Sequence, residues 1–131
     1  MNAHIFEAKT VEPAQILAEA RAKFDAGYRL ITITTLVLDE QNLELLYHFD
    51  KAHEQVHLRM QVHKDSVIPS ITPVYFCALL IENEIRDLFD MKFDGLVLDF
   101  QRTMLLTDAT KKVVNAPFFY VAKTQNPSKR T

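Results

Sequence analysis

Tyr28-Arg29-Leu30-Ile31-Thr32-Ile33-Thr34-Thr35-Leu36-Val37-Leu38, then Leu43-Glu44-Leu45-Leu46-Tyr47-His48-Phe49-Asp50, then Val56-His57-Leu58-Arg59-Met60-Gln61-Val62-His63 form the stretch that decides the fold. The first segment is dense in branched and aromatic side chains, which suit a pleated surface, and Ile31, Ile33, Thr35 and Val37 alternate with Thr32, Thr34 and Leu36. In the second, Leu43, Leu45, Tyr47 and Phe49 alternate with Glu44, Leu46, His48 and Asp50. The third is the cleanest, with Val56, Leu58, Met60 and Val62 against His57, Arg59, Gln61 and His63. A period of two places each set on its own face of a strand. The polar turn Asp39-Glu40-Gln41-Asn42 is too short for a crossover, so the first two strands are antiparallel. One face of this sheet must be covered, and the other is wet or at an interface.

Helical periodicity brackets the strands. Glu12-Pro13 opens a segment in which Ile16, Leu17, Ala20 and Phe24 recur at helical spacing, and Gly27 follows the last of them. A surface helix over about residues 12–26 is expected. Ser66 to Thr72 reads as a loop. Thr72-Pro73 then reads as the cap and first turn of a second helix. Its apolar face carries Val74, Cys77, Ala78, Ile81, Ile85, Leu88 and Phe89, with Cys77 as a core cysteine. Glu82 and Arg86 are four apart and placed to pair along the surface. Extended or short irregular pieces are expected after Gly95, an edge strand at Phe118-Phe119-Tyr120, and a disordered basic tail over 125–131. The fold class is therefore α+β: a mostly antiparallel sheet with two main helices packed on one face, in a single domain over 1–124.

Composition narrows function. With 131 residues, 48% hydrophobic and 24% charged, the chain is long enough for one core without disulfides or a structural metal. The single cysteine excludes a disulfide framework or cysteine zinc site and fits a reducing, cytoplasmic compartment. Fifteen basic against 17 acidic side chains do not mark a nucleic-acid binder. The longest apolar stretch, Pro73 to Ile81, is about half of what a membrane span needs, and no signal peptide is expected at Met1. Two glycines, Gly27 and Gly95, cannot build a phosphate-cradling loop.

Candidate chemistry is thin. His53, His57 and His63 are close in sequence, but on a strand His57 and His63 lie roughly 20 Å apart, so no metal site is expected. Glu82 and Glu84 are about 200° apart around a helix and cannot face one substrate. No serine or cysteine stands in a nucleophile arrangement. No catalytic residue and no cofactor is expected in this chain.

Specific residue types cluster from Pro69 to Leu106. Pro69-Ser70-Ile71, an apolar helix, and then Glu82-Asn83-Glu84-Ile85-Arg86-Asp87-Leu88-Phe89-Asp90-Met91-Lys92-Phe93-Asp94-Gly95 resemble the signature of the 30 kDa subunit of respiratory NADH dehydrogenase, complex I. Glu82, Glu84, Asp87, Leu88, Phe89, Phe93 and Gly95 match the signature. Arg102 and Leu105-Leu106 look like its following Arg-Arg-Ile-Leu motif. Asn83 stands where the family has arginine, Asp90 where it has the glycine after phenylalanine, and Leu96 where it has histidine. The resemblance spans about residues 12–108. The absence of a long C-terminal extension is closer to the compact form of Ech-type energy-converting nickel-iron hydrogenases.

The resemblance implies a non-catalytic assembly subunit of a complex I-like NADH dehydrogenase or membrane-bound nickel-iron hydrogenase. Such a subunit has no redox centre or activity of its own. Its implied partners are the large catalytic subunit and other peripheral-arm subunits, which would hold it at the membrane without a span of its own. Glu82, Glu84, Arg86 and Asp87 would carry docking, with Phe89 and Phe93 fixing the loop after the helix; an oriented set of charges on a rigid helix selects partner and register. The competing expectation is a small dimeric α+β ligand-sensing domain that pairs through an exposed sheet edge. A hydrolase using the acidic cluster is a third, disfavoured by the helical geometry.

Overall fold

The computed structural model describes residues 7–102; the expected edge strand at Phe118-Phe119-Tyr120 and the basic tail lie outside them. Strands β2 (Arg29–Val37), β3 (Asn42–Lys51) and β4 (Glu54–His63) form an antiparallel meander, and β1 (Lys9–Thr10) adds in parallel to β4, giving the order β1-β4-β3-β2. The expected alternation sets the register: Leu43 faces Val62, Leu45 faces Met60, Tyr47 faces Leu58 and Phe49 faces Val56. These side chains share one face, and all but the half-buried Val56 are buried there.

Helix α1 (Ile16–Asp25) and helix α2 (Ala78–Phe89) cover that face, with Ile16 and Ala20 of the first and Ala78 and Ile85 of the second in the same core. A 3-10 turn, Pro13–Gln15, leads into α1, with Glu12 and Gln15 closing a capping box. At the other end Gly27 takes φ +91°, and the amides of Gly27 and Tyr28 return to the carbonyls of Phe24 and Lys23, so the last turn is satisfied by a left-handed glycine.

The structure departs from the expected elements in three places. First, Ile31 is exposed at 43% while Leu30 is buried, because a bulge between Leu30 and Thr32 breaks the alternation. Second, Ser66 to Thr72 is not all loop. Strand β5 (Val67–Pro69) pairs in parallel with β6 (Lys92–Asp94), and α2 is the crossover between them.

Third, α2 begins at Ala78 rather than at Thr72-Pro73, and residues 71–77 run through tight turns instead. The Thr72 hydroxyl does not cap a helix: it accepts the Val97 amide at 3.1 Å and meets the Ser70 hydroxyl at 2.6 Å. Tyr75 turns into the core and donates to the Tyr28 carbonyl at 2.7 Å. These turns leave Cys77 exposed, which overturns its expected place in the core.

The second face of the sheet is not simply wet. Glu44 and Leu46 are buried there; Arg59 approaches Glu44 at 3.3 Å, and Gln61 donates to Glu44 at 3.0 Å. His48 and His57 stand directly opposite one another in the β3–β4 register.

Candidate functional site

Helix α2 carries the signature residues, and its packing divides them into two groups. Facing inward, Glu82 has no solvent exposure. One carboxylate oxygen accepts the Ser70 hydroxyl at 2.6 Å and the other accepts the Ile71 amide at 2.9 Å. Through Ser70 and Thr72 the network reaches the Val97 amide, so one buried carboxylate joins α2, the end of β5 and the segment after β6. Burial raises the Glu82 carboxyl to about 7, against the opposing pull of the Ser70 and Ile71 hydrogen bonds. Arg86 does not pair with Glu82 as the four-residue spacing suggested. It binds Asp99 at 2.8 Å, because Glu82 points to the interior.

Asn83 is equally buried. Its amide nitrogen donates to the carbonyls of Leu79 at 2.9 Å and Leu98 at 2.8 Å, and its oxygen accepts the Phe100 amide at 3.0 Å. Asp87 is buried, and its backbone carbonyl accepts the Arg102 guanidinium at 3.0 Å; Arg102 also lies 3.6 Å from Asp90. Asp90 takes φ +53°, the left-handed conformation that the family's glycine would adopt with least strain. Phe93 is buried on β6, and Phe89 is half-buried against the core.

Facing outward, Glu84 is exposed. It makes no ion pair with a described residue. It stands at a groove of about 530 Å³ between α2 and β2, whose other lining is Ile33, Thr35, Leu36, Val37, Ile85, Leu88 and Phe89. Of the six residues expected to dock a partner, the structure brings Glu84 and Phe89 together at this groove. Arg86 is partly exposed beside Asp99, and Glu82, Asp87 and Phe93 lie inside.

His48, which the sequence pattern does not single out, is paired across the sheet. Its Nδ1 lies 2.7 Å from Nδ1 of His57, and its Nε2 lies 2.9 Å from the Thr34 hydroxyl. Burial lowers both imidazoles below their ordinary value, His48 also through the neighbouring His57. The pair follows from a two-residue hairpin at Ala52-His53, with φ +50° and +70°. That turn type ordinarily announces itself with Asn-Gly or Asp-Gly, and Ala-His does not. Among the described residues, no three histidine, cysteine or acidic side chains gather in a way that could hold a metal ion.

Comparison with known proteins places this architecture. In the solved structure of the membrane-bound sulfane sulfur reductase, an archaeal respiratory membrane complex, one chain superposes with a TM-score of 0.64 over 92% of this chain and 79% of that chain, at 19% identity. This likeness is one of fold. A subunit of the NADH-quinone oxidoreductase of Ruegeria pomeroyi is 31% identical over 70 residues, a match covering 50% of this chain and 35% of that protein's length. Among the described residues no helix is long and apolar enough to cross a membrane. The family model for the respiratory-chain NADH dehydrogenase 30 kDa subunit matches residues 5–118, and the chain belongs to that family.

Proposed function

We propose that this chain is a non-catalytic docking subunit of a complex I-like respiratory assembly. It binds the large catalytic subunit, of the complex I or nickel-iron hydrogenase type, in the peripheral arm, and is held at the membrane through that partner. Family membership supports the assembly. The observation that carries the docking role is the division of α2: Glu82, Asn83 and Asp87 are held inside, while Glu84 alone of the signature acids stands exposed beside an apolar groove. A helix braced from within presents a fixed outer charge at little entropic cost, and pre-organised charge sets partner choice and register.

In this reading Glu84 and Arg86 meet the partner, Phe89 shapes the contact, and Glu82, Asp87 and Phe93 act by fixing the surface that docks. The chain supplies no redox centre; electrons pass through other subunits. The test is an affinity pull-down of the tagged protein from solubilised membranes of its source, with mass spectrometry of what accompanies it. Recovery of a complex I-type or nickel-iron-type large subunit is expected. This chain alone, from membranes shown to contain such a complex, would refute the reading.

A further inference from the structure

Three features of the α2–β2 groove bear on what fills it. Its sheet wall is formed by Ile33, Thr35 and Val37 on the core side of β2 together with Leu36 from the opposite side, so the groove follows the core side of β2 out to its edge. Among the described residues, β2 has a strand neighbour on one side only, which is β3. An open edge of this kind offers unpaired amides and carbonyls to an added strand.

The second feature is polar. Thr35 carries a hydroxyl oxygen that is shielded from solvent and has no hydrogen-bond partner among the described residues. A buried hydroxyl without a partner costs free energy that an incoming donor or acceptor would recover. The third is charge. On the helix wall the groove is apolar at Ile85, Leu88 and Phe89, and its one ionisable lining residue is Glu84.

We infer that this groove receives an extended, largely apolar segment of the large subunit, which adds a strand to β2 and sets one lysine or arginine against Glu84. The inference rests on the docking function proposed above and adds the surface, the mode of binding and the chemistry of the segment. A second copy of this chain fits less well: β2 from Leu30 to Val37 has no basic side chain, and Arg29 at its start is engaged with Asp50. Paired β2 edges would therefore leave both Glu84 carboxylates without a cation beside an apolar interface.

The test uses the assembled complex, purified through a tag on this chain, with a photo-cross-linking p-benzoylphenylalanine placed at Leu88 or Leu36. The same substitution at Leu17, an exposed residue of α1, serves as the comparison position. The expected product from positions 88 and 36 is a cross-link to one apolar peptide of the large subunit that contains a lysine or arginine, with little from position 17. Glu84→Lys should lower affinity for the large subunit on the order of tenfold without lowering the melting temperature.

A complex that assembles with the large subunit but cross-links to it from position 17 and not from 88 or 36 would overturn the groove and leave the docking function standing. So would a cross-link from 88 to a second copy, or to another part of the same chain. Failure to recover any large subunit would overturn both.

Discussion

Glu82 is a carboxylate with no solvent exposure whose ordinary value of 4.5 is raised to about 7, chiefly by burial. Between those values the folded chain holds a proton that the unfolded chain has released. Its contribution is therefore fully present below about pH 4.5 and is lost as pH rises through 7, by roughly 3 kcal/mol in all. His48 and His57 act oppositely: both are held below their ordinary 6.5, so their contribution is present above that value and lost as pH falls. Glu82→Gln keeps a hydrogen-bonding side chain and removes the proton. Its melting temperature, measured from pH 4.5 to 8, should gain on the wild type as pH rises, and its remaining slope should be the acid loss of the histidine pair. An unchanged difference across that range would contradict the assignment. Tyr47 gives a simpler case, since its hydroxyl is buried without a partner among the described residues. Tyr47→Phe should be neutral or stabilising by up to about 1 kcal/mol in urea unfolding. Neither residue was legible in advance. A glutamate four positions before an arginine reads as a surface pair, and only the fold brings Ser70 and Ile71 to Glu82.

Helix α2 and its flanks show where local sequence suffices and where it does not. The β2, β3 and β4 pattern was legible because a period of two, sustained over three segments, has one burial solution, and Gly27 ended α1 as expected because its backbone is left-handed there. The start of α2 was not. Thr72-Pro73 has the residue types of a cap, but the Thr72 hydroxyl is taken by Val97, which lies 25 residues away in the chain. The departures from the family pattern have local explanations. Asn83 ties α2 to the segment of Leu98 and Phe100 by three hydrogen bonds, and Asn83→Asp replaces a donor facing two carbonyls with an acceptor. A loss of about 2–4 kcal/mol is expected, read as a shift in the denaturation midpoint. Asp90 keeps a left-handed backbone without glycine, so Asp90→Gly should change stability by less than about 1 kcal/mol. Asp90→Val should cost about 1–2 kcal/mol at the same position.

At the scale of the whole molecule, a β5-α2-β6 crossover beside the meander sets one face of α2 into the core and leaves Glu84 outward at the edge of β2. The acidic cluster visible in the sequence thus divides by burial, a division that spacing alone could not assign because Glu82, Glu84 and Asp87 are equally charged on paper. Glu84→Ala should leave the melting temperature within the range of ordinary surface substitutions, about 0.5 kcal/mol, and reduce recovery of the large subunit. Asp87→Ala should lower stability by about 1–3 kcal/mol and lower recovery only in proportion to the folded fraction. The most direct measurement of the docking function is a cryo-electron microscopy map of the respiratory complex purified through this chain. The expected map shows the chain against the large catalytic subunit, with a strand of that subunit along β2 and Glu84 in ion-pair reach of a lysine or arginine. A map in which the chain makes no contact with the large subunit would contradict it.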